Sequence, residues 1–230
     1  MNPPALELNL LDALREDVPT CGRIPSGDVE FSMNKPAASK PSLKLGHSGV
    51  RGRSFADSRA SFDALVLAML MDPALRKAVK AQPKTNLESL WSETVHRFQN
   101  SNPGASRTIG MLEIHQHLVR GLPGEALFVS SAMAFDSMTE ALELFGVSSK
   151  TAKQRIGERL SPGESEIALR IGRVLTMTAD VFGSFETARN YLRTPNFALG
   201  GAVPRDLLKT AEGEQIVVSE LQTQAEGGPV

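Results

Sequence analysis

An all-α protein is predicted by three observations on this 230-residue chain. Aromatic residues are scarce while Ala and Leu abound, no stretch alternates apolar and polar residues for long, and from residue 55 onward apolar residues recur at helical spacing. The architecture expected is a helix-turn-helix domain followed by a small helical domain, preceded by a partly disordered extension. A chain of this length can bury a substantial core as one large domain or two small ones. Lys and Arg total 25 against 26 Asp and Glu, a net charge of -1, and the acidic excess falls after Leu160. A single cysteine, Cys21, excludes an internal disulfide framework and fits a reducing compartment. The longest apolar run, Phe62 to Met71, is too short for a bilayer and contains Asp63. The first residues lack the basic-then-apolar order of a signal peptide. A cytoplasmic protein with no membrane partner is expected.

Taken in order, residues 1–54 mix Pro, Ser, Gly and Lys without periodicity, apart from a short helix near Leu6 to Arg15, a composition that cannot offset the entropy of ordering. Lys35, Lys40, Lys44, Arg51, Arg53 and Arg59 against Asp57 read as a solvated linker or as a mobile arm touching phosphate. Residues 55–105 hold a helical hairpin of no assigned role. Its first arm runs from Phe55 to Val79 with a break near Asp72-Pro73, and its second places Leu87, Leu90, Trp91, Val95 and Phe98 on one stripe. Asn102, Pro103 and Gly104 break the chain and set a domain boundary near residue 105.

Residues 106–159 carry the helix-turn-helix outline. A helix from Ile109 to Arg120 and another through Ala132 precede a short helix whose Met138, Ala141, Leu142 and Phe145 share one face and which stops at Gly146. Ser148 is placed to cap the next helix, through Ile156. On that helix Ser149, Lys150, Lys153, Gln154 and Arg155 are the candidate DNA-binding residues, Arg and Gln suiting base edges and Lys suiting phosphates. A surface helix with ordinary charges is the competing reading, since the surrounding segment has no net charge.

Residues 160–230 open with Ser161-Pro162-Gly163-Glu164, which supplies an N-cap, a first-turn proline and a capping-box glutamate for a long helix. Ile167, Ile171, Val174, Leu175, Thr178, Val181 and Phe182 read as its buried side, and Glu166, Arg170, Arg173 and Asp180 as its solvent side, with Glu166 pairing Arg170. Gly183 ends it, and Ser184 caps a helix burying Phe185, Ala188, Tyr191 and Leu192. Next comes a loop in which Asn196, Gly200 and Gly201 permit unusual backbone angles, Pro195 and Pro204 stiffen the flanks, and Phe197 and Leu199 project. Stiffness, positive φ and exposed apolar side chains together point to recognition of a partner, though Leu199 can equally cap its own core. Pro204 starts a short helix with Leu207 and Leu208, and a last helix carries Ile216, Val217 and Leu221.

The order and spacing of Leu160 to Ser165, Val181-Phe182-Gly183, Ala188 to Leu192, Pro195-Asn196, Ala198 to Gly201, Pro204, Leu207-Leu208 and Glu212-Gly213 resemble the toxin-binding domain of Xre/MbcA/ParS antitoxins. With the helix-turn-helix before it, the resemblance spans Arg107 to Glu226. It implies a homodimeric antitoxin of a type II toxin-antitoxin system that occludes a RES-domain, NAD-consuming toxin and represses its own operon by binding operator DNA. Asn196, Phe197, Leu199, Gly200, Gly201 and Arg205 are then the candidate toxin-binding residues. Three positions depart from the family pattern: Tyr191 stands where Trp is usual, Leu142 and Ala152 exchange the usual large and small slots of the turn, and the tail Leu221 to Val230 lacks an Arg-Ile ending.

His115 and His117, two apart on a helix, lean to opposite sides and cannot share a zinc ion, so no metal is expected. No nucleophile motif, phosphate loop or paired acid and base is present, and neither catalysis nor a cofactor is expected. The competing functions are a stand-alone transcription regulator that uses the C-terminal module to dimerise, and a protein-interaction scaffold.

Overall fold

The computed structural model describes residues 55–81, 86–100 and 109–227. Chain contacts divide the protein into Met1–Lys40, outside the described residues, and Pro41–Val230, to which everything below belongs. The extension 1–54, its short helix near Leu6 to Arg15 and the break at residues 102–104 also lie outside the described residues. The described residues are helical, with no strand. In chain order they form α1 (Phe55–Leu70), α2 (Pro73–Ala81), α3 (Leu87–Asn100), α4 (Met111–Arg120), α5 (Glu125–Ala134), α6 (Met138–Phe145), α7 (Ser149–Arg155), α8 (Pro162–Phe182), α9 (Phe185–Arg193), a 3-10 turn (Phe197–Leu199), α10 (Pro204–Leu207) and α11 (Ala211–Ala225).

The caps stand where local chemistry puts them. The Ser161 hydroxyl accepts from the Glu164 amide while the Glu164 carboxylate accepts from the Ser161 amide, so two orphan donors of α8 are satisfied reciprocally. Ser137, Ser148, Ser184 and Thr210 cap α6, α7, α9 and α11 through the hydroxyl alone, each accepting one first-turn amide. The Asp72 carboxylate accepts from the Ala74 and Leu75 amides, which restarts the helix after the break between α1 and α2.

Helix α8 is the axis of the fold, with α1, α4, α5, α9 and α11 packed around it. It has no broad solvent face, and this overturns the reading of Arg170 and Arg173 as solvent-facing. Both are buried. Arg173 donates to Asp63 of α1 and to Glu214 of α11. Arg170 donates to Glu214 at 3.2 Å and to the Leu208 carbonyl at 2.9 Å, so its partner is Glu214 and not Glu166. Arg59, counted with a basic arm in the sequence, sits on α1 and reaches Glu214 at 3.5 Å. Burial raises the Asp63 carboxyl above its ordinary range, against the opposing pull of Arg173.

The helices before residue 105 share this core. Leu67, Leu70, Leu75, Val79, Leu90 and Trp91 are buried in one cluster with residues of α5, α8 and α9. Gly172 of α8 lets α1 approach: a Cβ there would come within 2.3 Å of Val66 Cγ1. Arg189 of α9 is buried and donates to Glu88 at 2.7 Å and to the Phe135 carbonyl at 3.0 Å, with its guanidinium 4.9 Å from the Trp91 ring centroid. Phe98 stacks on Phe185 at 4.8 Å. These contacts fasten α3 to α9.

Candidate functional site

The loop after α9 is closed by its own hydrogen bonds. Asn196 donates its amide to the Ala202 carbonyl at 3.0 Å, its carbonyl accepts from Gly201 at 2.9 Å, and its side-chain oxygen accepts from the Ala198 amide at 2.8 Å. Asn196 itself is extended, with φ -112. The unusual backbone angles expected of it fall only on Gly200 and Gly201, at φ 67 and 83. Asn196 shapes the loop by capping the 3-10 turn instead.

This closure leaves Phe197 bare: it is 97% exposed, more than any other large apolar side chain among the described residues. Leu199 does not project with it. It is half-buried and packs against the core, because the turn rolls its side chain toward α11. Arg205 is held in the scaffold, with its guanidinium 3.0 Å from Glu140 and 5.0 Å from the Phe135 ring centroid. The structure therefore brings Asn196, Phe197, Gly200 and Gly201 together in one loop, with Leu199 and Arg205 beneath or beside it.

The ground around the loop is more apolar than the sequence indicated. Phe182 is 36% and Ile216 is 52% exposed. Phe182 meets Tyr191 with ring centroids 5.3 Å apart. Burial pushes the Tyr191 hydroxyl up to about 12, with the Asn196 side chain opposing and the Glu220 charge adding to the rise. Glu220 lies one turn along α11 from Ile216, so α8, α9, the loop and α11 meet around this tyrosine. Helical periodicity places Phe182 on the buried side of α8, whereas its position in the last turn of that helix leaves it exposed.

Beneath the loop, Gly213 explains why Glu212 is followed by glycine. A Cβ at Gly213 would stand 1.9 Å from the Leu207 carbonyl oxygen, so only glycine lets α11 start directly under α10. Thr210 caps the helix through the Gly213 amide, and Glu214 turns inward to the two arginines of α8.

These positions fall in one matched segment. Residues 177–227 match the family model of the antitoxin Xre/MbcA/ParS C-terminal toxin-binding domain. The match begins within α8 at Met177 and takes in α9, the loop, α10 and α11. It supports an antitoxin role with a toxin as partner. No curated protein and no solved structure matches the chain.

The second candidate site is α6 and α7. Gly146 closes α6 in the left-handed region, at φ 67, and Ser148 caps α7 through the Thr151 amide. Leu142 and Ala152, the exchanged pair, are both buried. Ser149, Lys150, Lys153 and Gln154 are exposed. Arg155 is half-buried and donates to Glu164 at 3.0 Å, so it ties α7 to α8. Among the described residues no helix is long and apolar enough to cross a membrane.

Proposed function

We propose that this chain is a cytoplasmic antitoxin that binds and occludes a RES-type, NAD-consuming toxin and represses its own operon. The observation that carries the reading is Phe197. A large apolar side chain held bare by a self-closed loop, within the segment matched to a toxin-binding domain, is built to be covered by another protein. Phe182 and Ile216 extend that apolar ground. The loop glycines act by setting its shape, Asn196 by pinning it, and Leu199 and Arg205 by seating it on the core. The chain acts by binding and is not itself a catalyst.

In this reading the functional parts are the extension 1–54, the hairpin 55–105, the DNA-binding part 106–159 and the toxin-binding part 160–230, laid over a continuous core. Operator DNA meets α7 through Ser149, Lys150, Lys153 and Gln154, with Arg155 bracing the helix against Glu164. A homodimer supplies the two-fold symmetry of an operator. The exposed Met111, Leu112 and Val119 on α4 offer the uncovered apolar surface such a pair requires.

The test is co-purification with the product of the adjacent gene. A toxin held by the wild type and released by Phe197→Ala supports the proposal; a neighbour that is no toxin, with nothing retained by residues 160–230, refutes it. The stand-alone regulator is the second reading, favoured by the exposed Lys150 and Lys153. It predicts a salt-dependent shift of promoter DNA and no effect on any neighbour's toxicity.

A further inference from the structure

A cleft of about 420 Å³ lies away from the loop, where the end of α4, the start of α2 and the turn after α7 converge. Its size is that of a small-molecule pocket, and Met71, Leu122 and Pro123 give it apolar walls. Three guanidiniums line it, from Arg76, Arg120 and Arg159, against the single carboxylate of Glu158, with the His117 imidazole beside them.

Two of these guanidiniums are oriented in advance. Arg159 donates through Nη1 to the Gly121 carbonyl at 2.6 Å, which leaves its remaining N–H groups for a ligand. Arg76 donates through Nε to Glu125 at 3.3 Å, and Glu125 is wholly buried and further satisfied by Lys80 at 3.2 Å and the Gly157 amide at 3.0 Å. That carboxylate therefore positions Arg76 from behind without facing a ligand. Arg120 and His117 have no polar partner among the described residues. Fixed guanidinium forks, an unengaged third and apolar walls are the arrangement that recognises a phosphate carried on a small organic group.

We propose that this cleft binds a phosphate monoester, such as a nucleoside monophosphate, with Arg76, Arg120 and Arg159 on the phosphate and Met71 and Pro123 against the organic part. The inference is independent of the antitoxin reading, since none of these residues belongs to the toxin-facing loop or to the exposed face of α7. The intact protein is titrated calorimetrically at low ionic strength with adenosine monophosphate, inorganic phosphate and adenosine. The monophosphate is expected to bind, adenosine is not, and phosphate binds more weakly. Arg120→Glu, at an exposed position without a polar partner, should weaken the monophosphate at least about tenfold while circular dichroism is unchanged. Arg159→Gln, which keeps a donor for Gly121, should weaken it as well. Absence of monophosphate binding, or affinity indifferent to both substitutions, overturns the proposal. So does a result in which Arg120→Glu weakens only duplex DNA, which would assign the guanidiniums to backbone phosphates.

Discussion

Arg173→Met is expected to destabilise the fold severely, because it strips a buried charge from between two buried acids. Arg173 is 8% exposed and donates to Asp63, which is 7% exposed, and to Glu214, which is 5% exposed. Glu214 keeps Arg170 at 3.2 Å and Arg59 at 3.5 Å, whereas Asp63 loses its only direct ion-pair partner among the described residues. Breaking a buried pair costs about 3–5 kcal/mol, and with one of the two acids still paired the lower end, about 3 kcal/mol, is expected. The loss also acquires a pH signature. The Asp63 carboxyl already lies above its ordinary value of 3.8. A carboxyl raised in the folded state favours folding below its unfolded pKa, and that contribution is lost as pH rises through the folded value. Without Arg173 the folded value climbs further, so the variant should recover stability as the medium is acidified. Urea unfolding at neutral and mildly acidic pH measures both effects. A second substitution, Asp63→Leu, should restore about 1.5 kcal/mol or more of the loss. A loss below about 1 kcal/mol, the range of exposed pairs, would refute the reasoning, as would a second substitution that only adds damage.

Other outcomes follow from single residues. Phe197→Ala should leave thermal stability within about 0.5 kcal/mol of the wild type, since its ring touches little, yet weaken the toxin complex by about 2 kcal/mol, read as a roughly thirtyfold rise in Kd by calorimetry. Gly213→Ala sets a methyl against the Leu207 carbonyl and should lower stability by about 3 kcal/mol in a urea titration; an unchanged midpoint would contradict the close approach. Glu125 is pushed up by burial, but its backbone hydrogen bonds and Lys80 outweigh this and hold it below its ordinary 4.5. Its contribution is present above that value and lost as pH falls through the depressed one, so Glu125→Gln should flatten the acid limb of a stability profile. Lys150→Ala with Lys153→Ala should abolish operator binding and spare toxin neutralisation, checked by gel shift and growth rescue; intact operator binding would remove α7 from the interface.

What the sequence made legible was local. Ser148, Ser161 and Ser184 cap helices through hydrogen bonds spanning three residues, and Gly146 and Gly183 end them through backbone freedom intrinsic to glycine. Such interactions are written within a few positions of one another. The errors concern distant partners. Arg170 and Arg173 show helical spacing that suits a wet face, and their acids stand at positions 63 and 214, beyond any pattern of neighbours. The contacts of Arg205 with Glu140 and Phe135 are likewise remote in sequence, and the packing of Leu199 against the core is one of the two readings its sequence leaves open. In the loop, Gly200 and Gly201 take the positive φ that glycine permits, whereas Asn196 stays extended and closes the turn with its amide, carbonyl and side chain.

The contact between Val66 and Gly172 has a consequence for how such a chain can change over generations. A side chain at 172 has no room while 66 is branched, and a smaller residue at 66 leaves a hole while 172 is glycine. Neither position can drift alone, so viable descendants that alter one should carry a compensating replacement at the other, binding the inheritance of α1 to that of α8.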